Sequence, residues 1–331
     1  MSHLTGRISA QHRDAYTVQT QYGELTGAID GKFRFSAQTR RDFPAVGDWV
    51  TYTRASSAEA IIHAVLTRTS CIVRKSAGTT SQEQVIAANV DTVFIVAGFD
   101  YDFNLRRIER YVTLVLGSAS RPVILLNKAD RCDHVDARVA NVGSVAPGVD
   151  VHAISALSGR GIEQLDAYLM QGQTVALLGS SGAGKSTLVN LLLGSQRQET
   201  RAIREDGRGT HTTTTRELLV LPSGAALIDT PGMRELHLYD DAGALGEVFG
   251  DIESAAAHCR FSNCKHKEEP GCGVMAAGID AARLEGYRKL QREQLYMESK
   301  TDARIRAAEK ARWKKIHREA KAHMQTKYKR R

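Results

Sequence analysis

With 331 residues, 42% of them apolar and 25% charged, the chain can bury a sizeable core and divide into two or three domains. No stretch approaches the roughly 20 apolar residues that a membrane-spanning helix needs, and Met1 to Arg13 is polar, without the apolar core of a secretion signal; no membrane association and a cytoplasmic location are expected. The net charge of +8 sits at one end, where thirteen Lys and Arg face three Asp and Glu between Lys300 and Arg331, a run that reads either as a solvated helix or, more economically, as a contact for a polyanion such as nucleic acid.

Residues 1–70 alternate apolar and polar positions in short runs, as in Ala15 to Thr20, Gly47 to Thr53 and Ala60 to Leu66, with Gly and Asp at the breaks. Five short strands of this kind predict a small antiparallel β-barrel. An OB-type barrel fits, and an SH3-like one satisfies the same pattern.

From residue 71 to 238 strand and helix signals alternate, predicting an α/β domain with a mostly parallel sheet covered on both faces. Strands are expected at Thr92 to Ala97, Pro122 to Leu126, Val151 to Ile154, Thr174 to Leu178 and Ala225 to Ile228. Helices are expected at Leu105 to Leu116, Ile162 to Met170 and Lys185 to Leu193.

The strand Pro122 to Leu126 runs straight into Asn127-Lys128-Ala129-Asp130, which looks like an N-K-x-D guanine-specificity motif. Asp130 would accept from guanine N1–H and the 2-amino group, where adenine offers no donor, and those hydrogen bonds are worth a few kcal/mol of discrimination. Asn127 would brace the loop and reach the other side of the base, and the Lys128 stem would cover the ring. Ser155-Ala156-Leu157 follows the next strand, where the Ala156 N–H is expected to reach guanine O6.

Gly179-Ser180-Ser181-Gly182-Ala183-Gly184-Lys185-Ser186 is a complete G-x-x-x-x-G-K-S phosphate loop, preceded by the apolar strand Val175 to Leu178 and followed by a helical run opening at Thr187. The glycines let backbone N–H groups point inward, Lys185 neutralises the β and γ phosphates, and the Ser186 hydroxyl can ligate Mg²⁺. Gly209-Thr210-His211-Thr212-Thr213-Thr214-Thr215 is the expected switch I, with Thr213, or else Thr212, completing the Mg²⁺ shell. Asp229-Thr230-Pro231-Gly232 is a D-x-x-G element, in which Asp229 would hold Mg²⁺ through water and the Gly232 N–H would touch the γ phosphate. Met233 follows where many GTPases place a water-orienting glutamine, which predicts slow intrinsic turnover accelerated by a partner. His211 is the nearest polar substitute in a catalytic set with Lys185 and Thr213, although a histidine that merely caps or packs fits the position as well.

The motif order places the guanine element before the phosphate loop, so the G domain is circularly permuted. Residues 239–331 predict an α-helical domain with a long basic helix or tail from about Asp280. It contains Cys259-x4-Cys264-x-His266-x5-Cys272, three thiolates and an imidazole suited to tetrahedral, structural Zn²⁺. His258, beside Cys259, is a weaker choice of ligand. Cys71 and Cys132 read as small buried hydrophobes.

These motifs in this order, together with Pro44-x-x-Gly47-Asp48-Trp49-Val50, Asp102-Phe103-Asn104-Leu105 and the Cys/His cluster, make the chain resemble the YjeQ/RsgA family of small ribosomal subunit biogenesis GTPases. The resemblance implies an OB-fold, a permuted G domain and a zinc domain. It also implies rRNA binding on the small ribosomal subunit late in its maturation, with GTP hydrolysed to GDP and phosphate under stimulation by that subunit. The chain is expected to act as a monomer.

Overall fold

Alternation of inward and outward side chains organises the first strands. The computed structural model describes residues 3–12, 15–75, 83–194, 217–229, 242–267 and 269–301; these fall in two units, Met1–His237 and Leu238–Arg331. The first unit opens with strands β1 (Leu4–Gln11), β2 (Tyr16–Thr20) and β3 (Gly23–Ile29), a short helix α1 (Gly31–Ser36), and strands β4 (Trp49–Arg54) and β5 (Glu59–Val65). In β5, Ala60 and Ile62 are buried while Glu59 and Ile61 face out, so one face of the strand meets the core. Ile8, Val18, Leu25, Val50, Tyr52 and Ile62 form that core, each contributing on the order of 1.5–3 kcal/mol by leaving water.

The strand order is β1-β2-β3-β5-β4, and β4 returns to pair antiparallel with β1 from Leu4↔Tyr52 to Arg7↔Trp49. With β3 and β5 parallel, this closed five-stranded arrangement is the OB type. It decides between the two barrels that the alternation alone allows.

A hairpin of β6 (Cys71–Lys75) and β7 (Glu83–Ala88) precedes the main α/β region. That region runs β8 (Thr92–Gly98), α2 (Leu105–Leu116), β9 (Arg121–Asn127), α3 (Val135–Val145), β10 (Asp150–Ala153), β11 (Thr174–Gly179), α4 (Lys185–Leu193), β12 (Glu217–Val220) and β13 (Ala226–Asp229). The sheet order is β10-β9-β8-β11-β13-β12, parallel except for β12. Every residue of β8 and β11 is buried, which explains their unbroken apolar runs. The adjacent parallel strands carry their motifs at their C-terminal ends, on the edge where open α/β sheets form their ligand crevice.

One predicted helix is corrected. Residues Ile162–Tyr168 form a 3₁₀ segment rather than the α-helix expected over 162–170. Ile162, Leu165 and Tyr168 recur every third residue and pack on the core, a spacing that eclipses on a three-residue turn.

In the second unit, α5 (Ala242–Ala256), α6 (Gly273–Ala276) and α7 (Ala281–Thr301) are the regular elements among the described residues. Leu245, Val248, Phe249 and Ile252 of α5 and Leu284, Tyr287 and Leu290 of α7 are buried. Arg283 ties the two helices, holding both Asp251 carboxylate oxygens at 2.8 and 2.9 Å and the Val248 carbonyl at 2.8 Å. The Asp280 carboxylate caps α7 by accepting from the Arg283 N–H at 2.9 Å.

Candidate functional site

Strand ends set the positions of the site. β9 ends at Asn127, β11 at Gly179 and β13 at Asp229, while Ser155 and Ala156 follow β10 after one intervening residue, Ile154. The phosphate loop then turns into α4, whose first residue is Lys185. Ser186 and Thr187 occupy the first turn, where helix N–H groups lack intrahelical partners and favour an anion. Gly184 has φ +96° and caps that turn; a Cβ there would lie 2.1 Å from Asn127 Nδ2. A side chain at this position is therefore excluded twice, by conformation and by contact.

Asn127, almost fully buried, joins the two halves of the site. Its Nδ2 donates to the Ala183 carbonyl at 2.8 Å, and its Oδ1 accepts from the Ala156 N–H at 2.9 Å. The Ala156 N–H, expected at guanine O6, donates to Asn127 here. A buried amide must satisfy both ends, and with Nδ2 committed to the phosphate loop the Oδ1 is satisfied from the loop after β10.

Lys185 Nζ donates to the Gly179 and Ser180 carbonyls at 2.8 and 2.6 Å. Lys128 stands at φ +68° and its Nζ is 2.5 Å from Asp100 Oδ2. Burial works to raise the Asp100 carboxyl, but hydrogen bonds from Lys128 and from the Asp102 N–H outweigh it and hold the group below the ordinary carboxylate value. Asp102, buried, accepts from the Ser180 hydroxyl and from Arg107. Asp130 is partly exposed, with Arg131 Nε 3.9 Å from its carboxylate. Ala129 donates its N–H to the Ile154 carbonyl at 3.0 Å, fixing the guanine motif to the end of β10.

Of the residues singled out in the sequence, Asn127 to Asp130, Ser155, Ala156, Gly179 to Thr187 and Asp229 occupy this set of strand ends and following loops. His211, Thr213 with its alternative Thr212, Gly232 and Met233 lie outside the described residues. Sequence reasoning missed Asp100 and the link from Asp102 to Ser180. The signal was there only as acidic residues just beyond a buried strand, with nothing to say what they touch.

In the second unit, the potential ligand atoms of Cys259, Cys264, His266 and Cys272 all lie within 4.8 Å of one another. The Cys259 and Cys272 sulfurs are 3.9 Å apart, and His266 Nδ1 is 3.5 and 3.6 Å from them. Tetrahedral bonds of about 2.3 Å to sulfur require a sulfur–sulfur edge of about 3.8 Å, so the donor set fits a Zn²⁺ ion. Burial opposes ionisation of Cys259, but the N–H groups of Val274 and Gly273 and the neighbouring thiols bring it below the ordinary thiol value. The His266 N–H favours the Cys264 thiolate, yet burial and the two other thiols push that group up to about 11. Three thiolates this close need a cation to ionise together. Arg288 holds the loop from outside by donating to the Lys265 and His266 carbonyls at 3.0 and 2.6 Å. His258 turns away, its Nδ1 lying 2.9 Å from the Ser254 carbonyl, so the weaker candidate ligand is not part of the cluster.

Two family models match the chain, one described as RsgA GTPase over residues 65–239 and one as 50S ribosome-binding GTPase over residues 174–322. The second starts at the first residue of β11 and leaves out Asn127 to Asp130, in keeping with the permuted order. The chain is 46% identical to a protein of Opitutus terrae named small ribosomal subunit biogenesis GTPase RsgA, covering 95% of this chain and 90% of that one. It is 44% identical to the RsgA 2 of Lactiplantibacillus plantarum, covering 88% and 84%. Among solved structures, YjeQ from Thermotoga maritima aligns at TM-score 0.64 and 29% identity over 89% of this chain and 99% of that one. YloQ, titled a circularly permuted GTPase, shares the fold at TM-score 0.61 and 23% identity over 88% and 95%.

Proposed function

The chain belongs to the RsgA family of GTPases, and from that premise we propose that it hydrolyses GTP in the biogenesis of the small ribosomal subunit, bound there through rRNA. The guanine is read by Asn127 to Asp130 with Ser155 and Ala156 behind them. The phosphates lie on Gly179 to Thr187, and Ser186, Asp229 and Thr213 hold Mg²⁺. Lys185 neutralises charge on the transferred group, and His211 in switch I orients the attacking water in place of the glutamine that Met233 replaces. The subunit stimulates turnover by ordering switch I, late in its own maturation.

The observation that carries this reading is the double bridge of Asn127 to Ala183 and Ala156, at 2.8 and 2.9 Å. That a phosphate loop and an N-K-x-D turn share one buried side chain supports reading them as two halves of one nucleotide pocket, since a surface turn of the same sequence needs no such tie.

Within this proposal the chain is divided as an OB barrel over residues 1–70, the permuted GTPase domain over 71–238 and a zinc-binding domain over 239–331. Zn²⁺ at Cys259, Cys264, His266 and Cys272 supplies the cross-link for a domain with a small core. The basic run after Lys300 and the barrel supply the rRNA contacts. The protein acts as a cytoplasmic monomer.

The test is twofold. GTP and ATP affinities of the purified protein are compared, and Asp130→Asn is expected to shift preference toward xanthine nucleotides; equal binding of ATP and GTP would overturn the nucleotide reading. Sedimentation with purified small and large ribosomal subunits in GTP, GDP and a non-hydrolysable analogue is expected to show GTP-dependent pelleting with the small subunit alone. Equal pelleting with any RNA, lost alike with salt, would overturn the partner.

A further inference from the structure

Lys128 is the member of the guanine motif whose charge needs an account. Its side chain is only 16% exposed, so its ammonium cannot rely on water. Asp100, 21% exposed, supplies the counter-charge at 2.5 Å. The carboxylate reaches that position by folding back over the end of β8, where a Cβ on Gly98 would lie 2.5 Å from Asp100 Oδ1. Its second oxygen accepts from the Asp102 N–H at 3.1 Å, and Asp102 in turn holds the Ser180 hydroxyl of the phosphate loop and Arg107 at the start of α2. Tyr101, 70% exposed, places its ring 6.0 Å from Lys128 Nζ on the outer side.

We infer that Asp100 is a positioning residue for guanine binding, acting through Lys128: it fixes the ammonium beside Tyr101 so that the lysine stem lies along the face of the base. The inference rests on the reading of Asn127 to Asp130 as the guanine site. The stem is a flexible four-carbon chain whose free rotamers must be ordered when a base is bound. A carboxylate anchored on the loop after β8 meets that ordering cost before the nucleotide arrives. Asp100 lies against the base half of the site, whereas Asp102 holds the phosphate half through Ser180, so loss of Asp100 should weaken what depends on the base and leave what depends on phosphate alone.

The test uses the full-length protein and competition against a fluorescent GDP. Asp100→Asn is expected to bind GTP and GDP alike about tenfold more weakly or worse, a change of about 1.4 kcal/mol, while inorganic tripolyphosphate competes within about twofold of wild type. Loss of GTP affinity by less than about threefold, or a parallel loss for tripolyphosphate, would overturn it; an order of magnitude is well outside the spread of such comparisons. Because Asp100→Asn leaves a largely buried ammonium unpaired, the double variant Asp100→Asn/Lys128→Met, which removes both charges, keeps the question answerable if the single variant does not fold. It is expected to match Lys128→Met alone in guanine-nucleotide affinity; further weakening beyond Lys128→Met would show that Asp100 acts by another route and would overturn the inference. Wild-type preference for GTP over ATP is measured alongside, so that failure of the guanine reading is seen separately from failure of the Asp100 role.

Discussion

Arg7 of the barrel donates a 2.8 Å hydrogen bond to the hydroxyl of Thr174, the first residue of the strand that ends in the phosphate loop. The same guanidinium reaches the Gly47 carbonyl at 3.2 Å and stands over the Trp49 ring at 5.4 Å. One side chain thus spans the closing strands of the barrel and the central strand of the G domain. Arg7→Met keeps most of the packing and loses charged hydrogen bonds worth roughly 1.5–3 kcal/mol each, a loss offset in part because the buried guanidinium no longer has to be desolvated. We expect a lower urea midpoint by an amount equivalent to about 2 kcal/mol with an unchanged slope; an unchanged midpoint would show that the bridge is dispensable.

Asp48 is fully buried and accepts two hydrogen bonds from Arg68, both at 2.7–2.8 Å, as well as the Ala45 N–H at 2.8 Å. Arg68 also holds the Arg41 and Phe43 carbonyls. Asp48→Ala strands a mostly buried cation and should cost on the order of 3–5 kcal/mol. Replacing both partners with apolar residues should cost less than either single change, and a denaturant series on the three variants checks that order.

Gly184→Ala is expected to abolish nucleotide binding while leaving the far-ultraviolet spectrum in place. The new Cβ meets Asn127 Nδ2 at 2.1 Å and the backbone is at φ +96°, so the loop must shift away from the residue that ties it to the guanine motif. Wild-type affinity in this variant would mean that the Asn127 bridge does not govern the pocket.

Asp150 is held below the ordinary carboxylate value of 3.8 by a hydrogen bond from Tyr168, with burial opposing and Arg121 assisting. A depressed folded-state pKa contributes stability that is complete above the unfolded value and is lost as pH falls through the folded one. The stability difference between wild type and Asp150→Asn is therefore expected to be flat above about pH 5 and to shrink below pH 4. A difference that persists unchanged to pH 2 would assign it to shape and not to charge.

Metal removal tests the Cys/His cluster. A chelator, or Cys272→Ser, is expected to release zinc stoichiometrically with the chain and to lower the helical signal and protease resistance of the C-terminal unit, because binding energy there is folding energy. Protein purified without zinc that is equally resistant would argue against a structural ion.

Contiguous chemistry was the part of this molecule open to reading in one dimension. The glycines and lysine of the phosphate loop, the Asn127 to Asp130 turn and the Cys259 to Cys272 spacing each sit within fourteen residues or fewer, so local order suffices to bring their atoms together. The strands that lead into the first two announced themselves by unbroken apolar runs, because β9 and β11 are covered on both faces. The segment after β10 was misread as an α-helix because seven residues with apolar positions three apart satisfy a tight turn as well as a loose one.

Sequence by itself determined which reactive groups lie close together along the chain: a G-x-x-x-x-G-K-S loop, an N-K-x-D turn placed ahead of it, and three cysteines with one histidine. Only the tertiary structure decided the barrel type, through β1 meeting β4, and the contacts that hold the nucleotide site together. Asn127 to Ala183 spans 56 positions, Ser180 to Asp102 spans 78 and Arg7 to Thr174 spans 167. The first two pairs follow from β11 inserting between β8 and β13, and the third from β1 continuing the same sheet beyond β12. Which side chains then fall within hydrogen-bond reach is set by which strands become neighbours, and neighbours as far apart in sequence as β8 and β11 leave no local signal of their pairing.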